Sequence, residues 1–193
     1  MFDRYNKSFS AKLSFYVISF ITVLSVILFG IFYHYSTKTL SKEAEDKIQT
    51  MAELANLNVS SLLSKVEKIP DNLGWMIVEY VKNPDSLFSI TRRIVKENAE
   101  IFGCAIAFEP YYFPQKGHYF APYSFMSGDT VKTMQVGSED YNYFEKGWYK
   151  GARQTRYWSK PYRDAGDPDV ITTSYAVPIH GKKGELIAIL SVD

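Results

Sequence analysis

The residues that could do chemistry collect in one stretch, Tyr141 to Asp193. It opens Tyr-Asn-Tyr-Phe-Glu-Lys-Gly-Trp-Tyr, passes Trp158, Tyr162 and Asp164, and closes on Leu-Ile-Ala-Ile-Leu-Ser-Val-Asp. Aromatic faces, Lys146 and two carboxylates supply walls and a fixed polarity, which is what a small-ligand pocket needs. The same rings also read as ordinary core, so the elements around them have to decide.

Other chemistries find no footing. There is no phosphate-cradling glycine loop and no Gly-x-Ser-x-Gly elbow, so no enzyme and no cofactor is expected. His34, His118 and His180 stand far apart and read as interface, strand and turn residues, not metal ligands. The single Cys104 sits in the apolar run Ile101 to Phe108, without a disulfide partner or metal-ligand spacing, and reads as a buried thiol. Lys146, Lys150, Arg153, Arg156, Lys160 and Arg163 cluster among aromatics as a single-strand nucleic-acid groove would. Glu139, Asp140, Glu145, Asp164, Asp167 and Asp169 offset them, and the 22 basic and 21 acidic residues give no bulk attraction to nucleic acid.

The elements that position the stretch begin in a membrane. From Leu13 to Thr37 no charged residue occurs, enough helix to cross about 30 Å of hydrocarbon. Gly30-Ile-Phe-Tyr-His-Tyr offers no small-residue cleavage site, so residues 13–35 read as an uncleaved anchor. Tyr33, His34 and Tyr35 fit an aromatic belt, and Tyr16 serves at the other interface. Arg4, Lys7 and Lys12 precede the span with little acid nearby, whereas Lys38, Lys42 and Lys47 are interleaved with Glu43, Glu45 and Asp46. That places residues 1–12 in the cytoplasm and everything after Tyr35 outside.

Leu40, Ala44, Ile48, Met51, Ala55, Val59, Leu62, Val66 and Ile69 then fall at alternating steps of three and four. This is the seam of a coiled coil or of a long packing helix, and a homodimer through this stalk is expected. Pro70 should kink or restart it. A second piece carries Leu73, Ile77, Tyr80 and Val81, and a third helix, capped by Asp85 or Ser86, runs to about Asn98. Leu87, Ile90, Ile94 and Val95 form its apolar stripe, with Arg92, Arg93 and Lys96 solvated. From residue 99 the period changes to strands: Ile101–Phe108, a hairpin of 118–126 with 130–136, a loop and short helix over 141–155, and a hairpin of 170–179 with 185–193. Helices followed by antiparallel strands predict an α+β module with the helices on one face of the sheet. The end at Asp193, on a strand without a capping segment, reads as the front part of a longer protein.

An amino-terminal anchor, a long helix, and a PAS-like sheet with Gly-Trp-Tyr followed by Trp-Ser-Lys-Pro-Tyr and a closing apolar strand ending in Asp resembles the double Cache sensor domains of bacterial receptors. The likeness covers residues 13–193, the anchor, stalk and membrane-distal module of that family. It implies an extracytoplasmic sensor in a bacterial plasma membrane, attached to a histidine kinase, a chemotaxis transducer, a nucleotide cyclase or a SpoIIE-class PP2C-type phosphatase. It also implies a ligand site of Tyr141, Trp148, Tyr149, Tyr162 and Asp193, with Asp164 nearby and Lys146 where the family's amino-acid pattern has Arg. Since Lys offers a point charge in place of a planar fork, the ligand could be an amino acid, an amine or another small molecule. A membrane-anchored interaction module without ligand is the alternative; it would fill the space around Trp148 and Asp193 with side chains.

Overall fold

A computed structural model describes residues 2–193, with side chains from Phe9 onward. Arg4 and Lys7, two of the cations behind the predicted orientation, therefore have side chains outside the described residues. The chain divides into two units, the first ending at Asn58 and the second spanning Val59–Asp193. Helix α1 (Phe2–Tyr80) contributes residues to both.

In the first unit α1 is long and apolar enough to cross a membrane. Phe15, Phe20, Phe29 and Phe32 all project outward and exposed, an arrangement suited to lipid and costly in water. Two threonine hydroxyls turn back onto the helix: Thr22 donates to the Ile18 carbonyl at 2.8 Å and Thr37 to the Tyr33 carbonyl at 2.9 Å. Each thereby satisfies itself on its own helix. Beyond the apolar run, Leu40, Ile48, Met51, Leu54 and Leu57 remain exposed.

In the second unit the apolar stripe of α1 turns onto a sheet. Val66 and Ile77 are buried, and Ile69, Leu73, Val78 and Val81 pack beside them. The helix runs unbroken through Pro70, so the predicted restart is corrected. One missing donor is outweighed because apolar residues on both sides of the proline hold the helix against one surface. Helix α2 (Ser86–Glu97) buries Leu87, Thr91, Ile94 and Val95. Asp85 stands at its N-cap without a capping hydrogen bond, contrary to expectation; its carboxylate instead pairs with Lys116 at 2.6 Å. Ser86 turns its hydroxyl back to the Asn83 carbonyl at 2.6 Å.

The strands are β1 (Gly103–Phe108), β2 (Ala121–Ser127) and β3 (Thr130–Val136), then, after helix α3 (Gly147–Ala152), β4 (Tyr157–Trp158), β5 (Tyr162–Arg163), β6 (Ile171–Thr172), β7 (Tyr175–His180) and β8 (Leu186–Val192). Six form one antiparallel sheet in the order β3-β2-β1-β8-β7-β4, and β5 pairs with β6 apart from it. The predicted strand 170–179 is thus two strands, split at Thr173-Ser174, where the Thr173 hydroxyl donates to the Ser159 carbonyl and Ser174 N–H to the Ser159 hydroxyl.

Strand periodicity explains why one face of this sheet can hold a site. Along β1, Cys104, Ile106 and Phe108 point to α1 and α2, while Gly103, Ala105 and Ala107 point the other way. Large residues fill the helix side, and small ones leave a shallow floor on the other. That second face is covered too, by α3 and by Tyr143, Trp148 and Tyr149. Burial pushes the Cys104 thiol well up, with Asp193 adding to it, so this cysteine is an inert core residue.

Candidate ligand-binding site

The small-residue face ends at Asp193. Its backbone is fixed on β1, where Phe102 N–H donates to the Asp193 carbonyl at 2.8 Å and Asp193 N–H to the Gly103 carbonyl at 2.9 Å. A side chain at Gly103 would meet the Tyr123 hydroxyl at 2.6 Å and Asp193 Oδ2 at 2.8 Å, so glycine there is what lets carboxylate and phenol converge. Tyr162 donates to Asp193 Oδ1 at 3.3 Å, and the Ser174 hydroxyl donates to the same oxygen. Burial pushes the Asp193 carboxyl up to about 7; neighbouring Asp164 adds to the shift and the Ser174 and Tyr162 hydroxyls oppose it.

Asp164, by contrast, is fully engaged. Tyr123 donates to its Oδ2 at 2.6 Å, and the Gly166 and Asp167 N–H groups donate to Oδ1 at 2.7 and 3.0 Å. Its carboxylate caps the turn after β5 and anchors Tyr123, which makes it a wall, while Asp193 is the carboxylate with capacity to spare.

Two spaces meet at three rings. Asp193, Asp164, Ser191 and Tyr123 border an inner chamber of about 10 Å³, at the lower limit for one water-sized group. Lys146, Tyr157, Lys160 and Arg163 border an outer cleft of about 430 Å³. Tyr141, Trp148 and Tyr162 line both. Lys146 lies 4.5 Å from the centre of the Tyr141 ring, and the Trp148 indole Nε1–H is buried with no acceptor among the described residues. An unmet buried donor costs about 1–3 kcal/mol, so an acceptor arriving there is rewarded.

The fold therefore brings together Tyr141, Lys146, Trp148, Tyr162, Asp164 and Asp193. Tyr149 is not among the lining residues. It follows Trp148 on α3, where consecutive side chains diverge by about 100°, and its hydroxyl donates to Glu109 at 2.7 Å. Sequence reasoning missed Tyr123, Ser174, Ser191 and Gly103. The small-large alternation of Gly103-Cys-Ala-Ile-Ala-Phe108 was the available signal for the floor.

A PAS-like sheet with a polar chamber behind aromatic walls is the architecture of a ligand-sensing module. The chain belongs to the family of methyl-accepting chemotaxis protein-like first PDC sensor domains, whose model matches residues 87–193. It is similar to the extracellular domain of the protein designated histidine kinase soHK1S-Z6, at 29% identity and a TM-score of 0.62 over 70% of this chain and 54% of that one. Methyl-accepting chemotaxis protein X shares the fold at 18% identity and a TM-score of 0.64, over 77% of this chain and 61% of that one. So does the ligand-binding domain of the Campylobacter jejuni chemoreceptor Tlp3 in complex with L-valine, at 15% identity and a TM-score of 0.53, over 70% of this chain and 53% of that one. This chain thus spans little more than half the length of these solved domains. No match was found among curated proteins.

Proposed function

We propose that this chain is the extracytoplasmic sensing part of a receptor in a bacterial plasma membrane, anchored by residues 13–35 with its amino terminus in the cytoplasm and its sheet outside. Its ligand is a small molecule presenting a primary ammonium, foremost an amino acid. The carrying observation is the polarity of the site: the Asp193 carboxylate stands at the closed end and Lys146 at the open end, with aromatic rings between. An ammonium at Asp193 pairs a charge that is otherwise costly to bury. The ligand carboxylate meets Lys146 and the unpaired Trp148 donor, and the facing rings add about 0.5–2 kcal/mol of cation–π attraction. The L-valine held by the similar chemoreceptor domain supports an amino acid.

A route to the stalk lies in β4. Tyr157 borders the cleft, while next to it Trp158 donates from Nε1 to Glu67 of α1 at 2.8 Å. Arg156, one residue earlier, donates to Asp71 of α1 at 2.7 Å. A shift of Tyr157 on the ligand moves both ties, and α1 passes the displacement on. A second copy of the chain pairs along the exposed seam through Ile48 and Met51.

Calorimetry of the purified chain in lipid nanodiscs, against the common L-amino acids and against simple alkylamines, tests the ligand reading. The expected result is saturable binding that weakens about thirtyfold or more in Asp193→Asn, the consequence of removing one partner of a buried charged contact. No binding from either class, or unchanged affinity in Asp193→Asn, overturns it.

A further inference from the structure

The chain around the cleft is crowded with cations, and the fold sorts them into two groups. Lys150 pairs with Glu145, Arg153 with Glu109 at 3.2 Å, and Arg156 with Asp71 at 2.7 Å. Lys146, Lys160 and Arg163 all border the outer cleft, and none of them forms a salt bridge among the described residues. Lys146 rests over the Tyr141 ring. Arg163 gives one N–H to the Pro168 carbonyl at 2.8 Å, leaving the rest of its donor fork uncommitted. No carboxylate borders this cleft; Asp164 and Asp193 both belong to the inner chamber. Asp167 and Asp169, in the turn that follows Arg163, are tied to each other through Asp169 N–H and Asp167 Oδ1 at 3.2 Å, and neither borders the cleft.

Size then decides what these cations face. A chamber of about 10 Å³ admits little more than an ammonium, so the rest of any bound amino acid, side chain included, lies in the cleft of about 430 Å³. There every fixed charge is positive. The α-carboxylate answers Lys146 and the Trp148 donor, and two cations remain. A neutral side chain leaves them unanswered, a basic one is repelled, and an acidic one is attracted.

We infer that the cleft selects amino acids carrying a second anionic group, and that Lys160 and Arg163 set this selectivity. The inference rests on the amino-acid reading of the site given above. Both residues are exposed at the rim, so their contribution is screened by salt and amounts to a preference, not to the whole affinity.

The test is calorimetry of the chain in lipid nanodiscs with L-glutamate and L-aspartate against their uncharged amides, L-glutamine and L-asparagine, at low and high salt. Each acid is expected to bind about tenfold more tightly than its amide, with the ratio shrinking at high salt. The ratio should fall towards one in Lys160→Met with Arg163→Gln, while affinity for the amides stays within about threefold. Lys160→Glu alone, at an exposed position, brings the pair to the same net charge as the double variant and should lower the ratio to a similar extent without loss of folding. Amides bound as well as their acids, with binding still dependent on Asp193, overturn the inference and leave the amino-acid reading standing. A preference that survives in the double variant overturns the assignment to these two residues. Absence of any amino-acid binding removes both.

Discussion

In the proposed site the chemistry turns on Asp193, because it sits half-buried among hydroxyls and aromatic rings and its carboxyl is raised from 3.8 to about 7. Between these values the folded chain holds a proton that the unfolded chain has released. That proton makes the ligand-free fold more stable at acid pH and progressively less so as pH rises towards 7. An ammonium ligand requires the ionised form, so binding expels the proton. Affinity should therefore rise by up to about tenfold per unit between pH 5 and 7 and level off above. Calorimetry across pH 5–8 reads this directly, and proton uptake or release can be checked by varying buffer ionisation enthalpy. A flat profile in the unsubstituted chain would remove Asp193 from the binding step, while Asp193→Asn should be flat by construction.

At the scale of elements, β4 is two residues long yet carries one side chain to the cleft and the next to α1, the alternation of any strand, on which the proposed transmission rests. Trp158→Phe keeps a ring against Tyr175 and deletes only the hydrogen bond to Glu67. Ligand affinity should stay within about threefold of the unsubstituted chain, the loss being confined to one partly buried contact. The ligand-dependent change in hydrogen exchange across residues 62–72 should shrink. An undiminished change would place the route elsewhere. Much of this arrangement was legible from sequence: the long apolar amino-terminal helix, α2 and both principal hairpins follow from periodicity and turn residues. Trp148 and Asp193 stood out by type. Gly103 and Tyr123 did not, because only sheet register brings them to Asp193, from 90 and 70 residues away along the chain. Choosing Trp148 over Tyr149 needed the rotational phase of a six-residue helix, which its sequence is too short to reveal. The continuity of α1 through Pro70 depended on tertiary packing on both sides, a term local rules omit.

For the whole molecule, the proposed topology puts the turn Gly181 to Gly184 outside the cell. A membrane-impermeant maleimide should label a cysteine replacing exposed Lys182 in intact cells and leave buried Cys104 unmodified. Protection at 182 until the membrane is opened would reverse the orientation. Dimerisation along the stalk predicts that cysteines replacing Ile48 or Met51 crosslink in higher yield than those replacing Lys47 or Gln49; equal yields at all four would deny the helix a preferred face. The three tryptophans, finally, stand in three different settings: Trp148 is 4% exposed, Trp158 is hydrogen-bonded to Glu67 on α1, and Trp75 is 63% exposed. Their emission should be resolvable by wavelength and by quencher access, with Trp75 red-shifted and open to iodide, and Trp148 blue-shifted and shielded. The chain thus contains its own fluorophores at the proposed site, Trp148, and on the proposed route to α1, Trp158, so single-tryptophan variants can time the two events without any attached dye.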